Sequence, residues 1–393
     1  MMMIERARVR SARTAVFVVF ALAGLVFASW ASRIADAKAA LGLTAGELGI
    51  TLFAASLGSM VGLPIAGRVT DRIGAARAVL AGMAFATVGL VGVGWIVDVH
   101  GSRWAVAAGL FFIGAGVGVW DVAMNLEGAE VERHLGVTVM PHFHAAFSGG
   151  TVISALIGAA MSRGEVPLRV HFAGTIVILV VLGVWSVRHF LPRSEEHHAE
   201  ATVRREGQKS AWLEPRTLLI GVVVFAAAFT EGTANDWLAV AFVEGYGLPA
   251  WAGVLAFATF LAFMTLGRIL GTGLLDRFGR VPVVRASFAL AVIGGAAVVF
   301  GGPTLAFIGA AVWGLGAALG FPVGMSASAD DPERAAARMS VTATIGYWAF
   351  IAGPPLLGLL GDRVGVLHSL VVVGVLALLA LLVVPAVREE RPA

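Results

Sequence analysis

Long apolar runs recur along the whole 393-residue chain and restrict its fold more than any other feature of the sequence. Each run is roughly 20 residues long, which is the length that an α-helix needs to cross the hydrocarbon core of a bilayer. Only 13% of the residues are charged, against about 25% in an ordinary soluble domain. The runs are too long and too uniformly apolar for the strands of a membrane barrel. We therefore expect an all-α membrane protein.

Glycine, proline and charge clusters break the apolar sequence into about twelve predicted transmembrane spans. The predicted limits of these spans are 14–35, 46–68, 76–98, 103–126, 138–161, 168–190, 216–243, 249–274, 281–301, 303–326, 335–360 and 365–387. One long polar segment divides the first six spans from the last six. We expect two pseudo-symmetric six-helix bundles, with the N-terminal bundle at 1–191, a cytoplasmic linker loop at 192–215 and the C-terminal bundle at 216–393.

Basic residues predict the orientation of the chain, because cytoplasmic segments carry an excess of lysine and arginine. One side of the bilayer collects the basic residues of both terminal segments, the linker loop and three turns: Arg6, Arg8, Arg10, Arg13, Arg72, Arg77, Arg193, Arg204, Arg205, Lys209, Arg277, Arg280, Arg334, Arg388 and Arg391. The other side carries fewer: Lys38, Arg103, Arg163, Arg169 and Arg363. No cleavage site of small residues follows the basic N-terminal segment, so the first run is interpreted as a retained span. We expect a multi-pass protein of the plasma (inner) membrane with both termini in the cytoplasm.

Several other classes of function lack support in the sequence. The formal net charge of +3 comes from arginines that set topology and does not indicate nucleic-acid binding. The absence of cysteine excludes disulfides and thiolate metal sites. The GAGVG stretch of span 4 lies within an apolar helix, so it is not a dinucleotide loop. His134, His142 and His144 lack the acidic or cysteine neighbours of a metal site. We predict a monomer that is not an enzyme and holds no cofactor or metal.

A short loop motif recurs in both halves of the chain. Its copies are GRVTDRIG at 67–74, TGLLDRFGR at 272–280 and GLLGDRVG at 358–365. Gly67 lets a helix end against a close neighbour, Asp71 is suited to bind the free amides of a helix N-terminus, and Arg72 to pair with a carboxylate or a lipid phosphate. In the second half of the chain, Asp276 and Arg277 take the places of Asp71 and Arg72. The alternative interpretation of the motif is a tight turn whose arginine only sets the topology. Two halves with repeated loops are typical of a transporter whose site lies between them.

Polar residues near the end of span 4 need a partner or a function, because a charge in the hydrocarbon costs roughly 2.5–3.5 kcal/mol. In GVWDVAMNLEG, Asp121 and Asn125 lie four residues apart and share one helix face. His144 lies at a similar depth in span 5, and adjacent antiparallel helices would bring it near Asp121. A carboxylate beside an imidazole can titrate as solvent access changes, so both side chains are candidates for proton coupling. The alternative is a buried polar pair that fixes span 4 on span 5.

Spans 7 and 1 carry further candidates. In FTEGTANDWLAVAF, Glu231 lies near the middle of span 7 and Asn235 follows one turn later on the same face. A mid-helix carboxylate is costly, so Glu231 is a candidate for proton coupling and Asn235 for substrate contact. Arg33, at the outer end of span 1, is a candidate to bind an anionic group of a substrate. Its alternatives are a side chain that snorkels to the surface and an ion pair with Glu231 that closes an outer gate.

Aromatic and small residues within the spans complete the set of candidates. Trp120, Tyr347 and Trp348 suit stacking on a sugar ring, although plain helix packing explains each of them equally well. Glycine is abundant, with 50 residues, and clusters in GAGVG of span 4 and WGLGAALG of span 10. Small residues let helix backbones approach closely, so we expect tight helix contacts at both places.

The twelve spans, the division into six and six and the GxxxDRxG motif together resemble the major facilitator superfamily. MPHFHAAFSGG, and the Asp121–Asn125 spacing, are most similar to its fucose-permease-like branch. The resemblance implies the major facilitator fold, and a loop motif that acts as a latch while the site faces outward. It also implies that Asp121 is the protonatable carboxylate of span 4. The branch has an acidic residue in span 1 as well, where this chain has Ala31, so its sugar–proton mechanism does not transfer directly.

These observations lead to three hypotheses for the function. The first is a secondary active transporter that moves a small polar, sugar-like solute by alternating access and couples it to protons. The second is a drug or metabolite efflux antiporter, although span 5 lacks the Gly-Pro element common in such exporters. The third is a membrane receptor or scaffold that transports nothing, which leaves the cost of the mid-membrane Glu231 unexplained.

Overall fold

The computed structural model describes residues 2–137, 139–192, 210–331 and 333–389. These residues form α-helices and two short 3-10 segments, Ala211–Leu213 and Val384–Val387, and include no β-strand. The helices are α1 (Met2–Ala31), α2 (Ile34–Leu41), α3 (Ala45–Ile73), α4 (Ala75–Asp98), α5 (Arg103–Leu135), α6 (Met140–Arg163), α7 (Leu168–Val187), α8 (Pro215–Tyr246), α9 (Ala250–Phe278), α10 (Arg280–Phe300), α11 (Gly302–Ala317), α12 (Gly320–Ser328), α13 (Ala335–Val364), α14 (Val366–Ser369) and α15 (Val371–Val383). The predicted all-α fold is therefore confirmed.

The described chain contains 12 helical segments that are long and apolar enough to cross a membrane, which confirms the predicted number of spans. Nine of them are single helices, and the other three are broken: α1 with α2 forms span 1, α11 with α12 forms span 10, and α14 with α15 forms span 12. Several helices extend beyond the predicted limits. Span 2, expected to end at residue 68, continues to Ile73, because a helix can project past the hydrocarbon where its residues become polar.

The chain divides into two compact units, one of residues up to 193 together with 249–258, the other of residues 194–248 and 259–393. In the first unit α5 packs mainly against α3 and α4, and α1 packs against α6 and α7. In the second unit α10 packs against α11 and α15, and α8 packs against α13 and α12. The predicted domain limits at 191 and 216 remain a prediction, and residues 193–209 of the predicted linker lie outside the described residues.

Glycine permits the close helix contacts that hold each unit together, as expected for spans 4 and 10. A Cβ added to Gly114 of α5 would lie 1.9 Å from the carbonyl oxygen of Ala55 in α3. A Cβ added to Gly316 of α11 would lie 2.4 Å from the amide nitrogen of Ala291 in α10. Any side chain at either position would push the two backbones apart.

The repeated motif has one structure in all three copies. The Asp-Arg pair lies in the last turn of α3, α9 and α13, and a glycine with positive φ separates that helix from the next one. These glycines are Gly74, Gly279 and Gly365, with φ of 83°, 75° and 83°. Residues with a side chain rarely adopt this conformation, so glycine is required for the chain to reverse here.

The expected role of Gly67 is wrong. Helix α3 does not end at Gly67, and no heavy atom from outside its own helix and chain neighbours lies within 4 Å of a Cβ built there. The sequence pattern marked a helix end that the structure places six residues later, at Ile73. Gly67 therefore does not serve a close backbone approach.

Candidate functional site

An ion pair joins the middle parts of two spans in the second unit. Nη2 of Arg268 in α9 donates hydrogen bonds to Oε1 and Oε2 of Glu231 in α8, at 3.2 and 3.0 Å. The two side chains are 32% and 20% exposed, so both are largely withdrawn from the surface. Each charge lies far from its helix ends, where an isolated charge would be costly, and each compensates the other. Glu231 therefore has a partner within its own unit.

Sequence reasoning missed Arg268, although the signal was present. Arg268 is the one charged residue between Ala250 and Leu275 of α9. The free-energy cost of a charged side chain in the hydrocarbon, which identified Glu231 as a candidate, applies equally to an arginine in the middle of a span. The only partner considered for Glu231 from the sequence was Arg33 of span 1, as an alternative to a role in proton coupling.

The structure places Arg33 in a buried cluster of the first unit. Arg33 lies between α1 and α2 and is 3% exposed. Its Nε donates to Oδ2 of Asp36 at 2.6 Å, and its Nη2 donates to the carbonyl oxygen of Val166 at 2.8 Å. Ser162 of α6 donates to the other oxygen of Asp36 at 3.1 Å. Arg33 thus ties the break in span 1 to the connection between α6 and α7, and it is not a snorkelling side chain at the surface.

Asp121 and Asn125 contact each other on α5, as their spacing predicts. Nδ2 of Asn125 donates to the backbone carbonyl oxygen of Asp121 at 2.8 Å and reaches its Oδ1 at 3.4 Å. Both side chains are half-buried. Glu127, two residues after Asn125, is 5% exposed, and its Oε1 accepts a hydrogen bond from the Leu191 amide at 2.7 Å. Span 4 is thereby tied to the segment that follows span 6.

His144 lies on a helix that packs mainly against span 1. Helix α6 makes most of its contacts with α1 and few with α5. The ring of His144 meets the edge of Phe20 in α1, with ring centroids 5.1 Å apart. The Asp121–His144 pairing remains a prediction, and the principal partner of span 5 is span 1.

The aromatic candidates differ in exposure. Trp120 is fully buried against Gly82 of α4, which favours helix packing over stacking on a solute. Tyr347 and Trp348 of α13 are 44% and 53% exposed. Asn235 is half-buried, and its Oδ1 has no hydrogen-bond partner among the described residues. The role of these three residues as substrate contacts remains a prediction.

A charged cluster at one end of the second unit was also missed. Asp330, just after α12, pairs with Arg216 at 2.9 Å and with Arg280 at 2.7 Å. Partial burial raises the pKa of Asp330, but the hydrogen bonds and charges of Arg280 and Arg216 outweigh it and lower the pKa overall. Both arginines lie in the first turn of a helix, next to predicted span limits, which was the signal available in the sequence.

No group of three or more His, Cys, Asp or Glu side chains within the described ranges is arranged to hold a metal ion. His134 does have an acidic neighbour, contrary to the sequence interpretation: its Nδ1 lies 3.2 Å from Oε1 of Glu130. This pair lies on one face of α5, four residues apart, and has no third ligand of these types.

Comparison with known proteins identifies the family. A sequence model of the Major Facilitator Superfamily matches residues 14–354 and, in a second alignment, 254–393. The chain belongs to the major facilitator superfamily. Its fold, with the 12 apolar spans, is the fold of this superfamily, so the protein is a multi-pass membrane transporter and not an enzyme.

Relatives in sequence are transporters whose substrates are not established. An uncharacterised transporter of Sinorhizobium fredii is 29% identical over 380 residues, covering 94% of this chain and 96% of the relative. An uncharacterised MFS-type transporter of Yersinia pestis is 31% identical over 377 residues, covering 94% of each chain. These relatives support transport without specifying a solute.

Solved structures of superfamily members share the fold. A point mutant of the nucleoside transporter NupG superposes with a TM-score of 0.80 at 11% identity, covering 96% of this chain and 99% of NupG. A D-xylose-proton symporter gives a TM-score of 0.74 at 16% identity, covering 96% and 99%. The fucose:proton symporter of E. coli gives 0.61 at 14% identity, covering 96% and 98%. At these identities the likeness concerns the fold alone, so the fucose-permease-like branch remains a prediction.

Proposed function

We propose that this superfamily member couples the movement of a small polar solute to protons, and that Glu231 and Arg268 form the coupling pair. The observation that carries the proposal is their ion pair, at the centre of spans 7 and 8. Two opposite charges at this depth are stable together and costly apart. Their separation is therefore an event that a change in protonation can control.

The proposed chemistry begins with the carboxylate. When Glu231 binds a proton, the Coulomb attraction that holds Arg268 is lost and one guanidinium is left without its counter-ion. Arg268 is then available to an acceptor on the solute. Release of the proton restores the pair and displaces that acceptor. Binding of the proton and binding of the solute thereby favour each other, which is the condition for coupled transport.

Substrate contacts are proposed for one polar and two aromatic side chains of the second unit. Asn235 lies one turn from Glu231 on the same helix face and offers an amide oxygen that has no partner among the described residues. Tyr347 and Trp348 offer exposed aromatic surface for a sugar-like ring. In the first unit, Asp121 and Asn125 remain proposed contacts, and Asp121 remains the competing candidate for proton binding.

The proposal includes a position in the cell. We propose a monomer in the plasma (inner) membrane with both termini in the cytoplasm, on the evidence of the basic residues. The first two copies of the Asp-Arg motif, with Asp71, Arg72, Asp276 and Arg277 in the last turns of α3 and α9, are then on the cytoplasmic side. We propose that they act there as a latch for the outward-facing state.

Transport by purified protein in proteoliposomes tests the coupling. Sugars and nucleosides come first in the solute library, since symporters and transporters of similar fold bear those names. We expect Glu231→Gln to abolish accumulation driven by a pH gradient while solute exchange without a gradient persists. Glu244→Gln, the same substitution 13 residues later on α8, is the control and should accumulate normally.

The competing assignments give different results in the same assay. If Asp121→Asn abolishes gradient-driven accumulation and Glu231→Gln does not, coupling resides in span 4 and our assignment is wrong. Counterflow with lipophilic cations would instead indicate an efflux antiporter. Solute movement that is indifferent to the pH gradient would refute proton coupling altogether.

A further inference from the structure

Arg268 uses only one of its three guanidinium nitrogens in the ion pair with Glu231. Both hydrogen bonds to the carboxylate come from Nη2, at 3.2 and 3.0 Å. Nε and Nη1 make no hydrogen bond with a described residue, and neither is among the buried polar atoms that lack a partner. The side chain is 32% exposed. Arg268 therefore has N–H donors that solvent, or a solute, can reach while the pair is intact.

Arg33, the sequence candidate for binding an anionic group, has no such donors. Its Nε and Nη2 are bonded to Asp36 and to the carbonyl oxygen of Val166, and its Nη1 is buried. The whole side chain is 3% exposed. An anion can reach Arg33 only after these contacts break. Anion binding in the middle of a span is therefore a role that fits Arg268 and not Arg33.

No other charge of α8 or α9 lies close to the pair on the same side. Asp236 follows Glu231 by five residues, which is about 140° around a helix, and it lines the side of α8 that meets α13. The remaining charged or titratable groups of α8 and α9 are at least eight residues from the pair, or about 12 Å along a helix: Arg216, Glu244, Tyr246, Asp276 and Arg277. Net charge at this place thus depends on Glu231 and Arg268.

The other helices that pack against α8 add no charge at the level of the pair. Helices α11, α12 and α15 carry no charged or titratable side chain. On α13 and α14 the charged or titratable groups are the phenol of Tyr347, which is neutral at pH 7, and side chains toward the ends of the two helices: Arg338, Asp362, Arg363 and His368.

The charge of the pair restricts which solute can take the place of Glu231 at Arg268. The ionised carboxylate and the guanidinium sum to zero. When Glu231 binds a proton, as in the proposed function, one positive charge is left inside a span, where it is costly. A neutral solute leaves that charge uncompensated, and a dianion replaces it by a negative one. A monoanion restores zero, and a carboxylate also matches the planar guanidinium with charge-assisted hydrogen bonds.

We propose that the solute is a small polar monocarboxylate, of the kind of a sugar acid, whose carboxylate replaces Glu231 at Arg268. The assignment rests on the proposed function and names the substrate class of the same site. One proton, held in an O–H bond at Glu231, and one monoanion cross together, so no net charge moves. On release the O–H bond breaks, the proton passes to water, and the Glu231 carboxylate displaces that of the solute.

Binding at equilibrium tests the substrate class without any gradient. Thermal shifts of the purified full-length protein compare galacturonate with galactose and gluconate with glucitol, at about pH 6, where carboxylic acids are ionised. We expect each acid to stabilise the wild type at about tenfold lower concentration than its neutral counterpart, because charge-assisted hydrogen bonds are the stronger ones. Arg268→Gln should lose this preference, and Arg268→Lys should keep part of it, since lysine retains the charge without the planar fork. Arg285→Gln, at an exposed arginine of α10, is the control and should behave as the wild type.

The membrane potential tests the charge balance in proteoliposomes. A proton that crosses with a neutral solute carries one positive charge, so an inside-negative potential of about 100 mV raises accumulation about 50-fold. A proton that crosses with a monoanion carries no net charge. We therefore expect uptake of galacturonate or gluconate driven by a pH gradient to be unchanged when potassium and valinomycin impose this potential.

Several results would overturn the assignment of a monocarboxylate. These are equal or better binding of the neutral solutes, no stabilisation by either acid, an acid preference that persists in folded Arg268→Gln, and uptake that follows the membrane potential. Where Arg268→Gln does not fold, an acid affinity in Arg268→Lys equal to that of the wild type counts against it equally. Uptake that follows the pH gradient but prefers neutral solutes leaves proton coupling intact and refutes the substrate class. Uptake that ignores the pH gradient refutes proton coupling, and the binding of acids at Arg268 is then decided by the thermal shifts alone.

Discussion

The Glu231–Arg268 pair is predicted to contribute strongly to stability as a pair, and a double-mutant cycle measures this. The closest oxygen and nitrogen atoms are 3.0 Å apart. At that distance Coulomb's law gives about 5.5 kcal/mol at an effective dielectric constant of 20, and about 1.4 kcal/mol at the value of water. With 20% and 32% exposure, the side chains lie between these two environments. We therefore expect a coupling energy of about 2–4 kcal/mol.

The cycle compares wild type, Glu231→Gln, Arg268→Gln and the double variant by their free energies of unfolding in mixed micelles. Each single variant leaves one unpaired charge in the bundle. The stability losses of the two single variants should therefore add up to more than the loss of the double variant. The control is the Arg169–Asp98 pair, which joins spans 6 and 3 at 3.8 Å with Arg169 47% exposed. Its coupling should be below about 1 kcal/mol. Additivity at Glu231 and Arg268 within about 0.5 kcal/mol would refute the reasoning.

Two further predictions concern packing and pH. A Cβ at Gly89 would lie 2.4 Å from the carbonyl oxygen of Gly109, so Gly89→Ala should lower the free energy of unfolding by about 1–3 kcal/mol. A Cβ at Gly92 on the same helix would have no neighbouring atom within 4 Å, so Gly92→Ala should raise the free energy of unfolding by about 0.5–1 kcal/mol. Equal thermal midpoints for the two variants would contradict the packing. Asp330 has a lowered pKa in the folded state, so its contribution to stability is present above the unfolded pKa of about 3.9 and is lost as the pH falls through the folded pKa. Asp330→Asn should therefore be less stable than the wild type at neutral pH and lose less further stability on acidification. Thermal midpoints measured from neutral pH downward test this. A fall in the midpoint with pH equal to that of the wild type would exclude the contribution of Asp330.

Some expectations about the candidate site followed directly from spacing along one helix. Asp121 and Asn125 are four residues apart, and the structure joins them by a hydrogen bond because such residues share a face. Close helix contacts at Gly114 and Gly316 likewise followed from small residues in apolar spans. These are local properties, and no knowledge of neighbouring helices is needed to predict them.

Pairings between helices could not be predicted in the same way. The spans are apolar on nearly every side, so periodicity does not indicate which face of a helix meets which neighbour. The alternative that paired Glu231 with Arg33 accordingly gave neither residue its observed partner: Glu231 binds Arg268, and Arg33 binds Asp36. The pattern likewise does not indicate that the helix of His144 packs mainly against span 1, and the pairing of His144 with Asp121 remains a prediction.

The membrane-spanning fold, the 12 spans and the repeated Asp-Arg-x-Gly turns follow from the amino-acid sequence, because bilayer thickness and glycine's conformational range act on short segments of any chain. Which charges meet depends on the rotation of each helix about its axis, and that rotation is visible only in the packed helices. A mid-span carboxylate signals a cost in either case. For Glu231 the cost is met by Arg268 of a neighbouring helix, a partner that the sequence of its own span does not reveal.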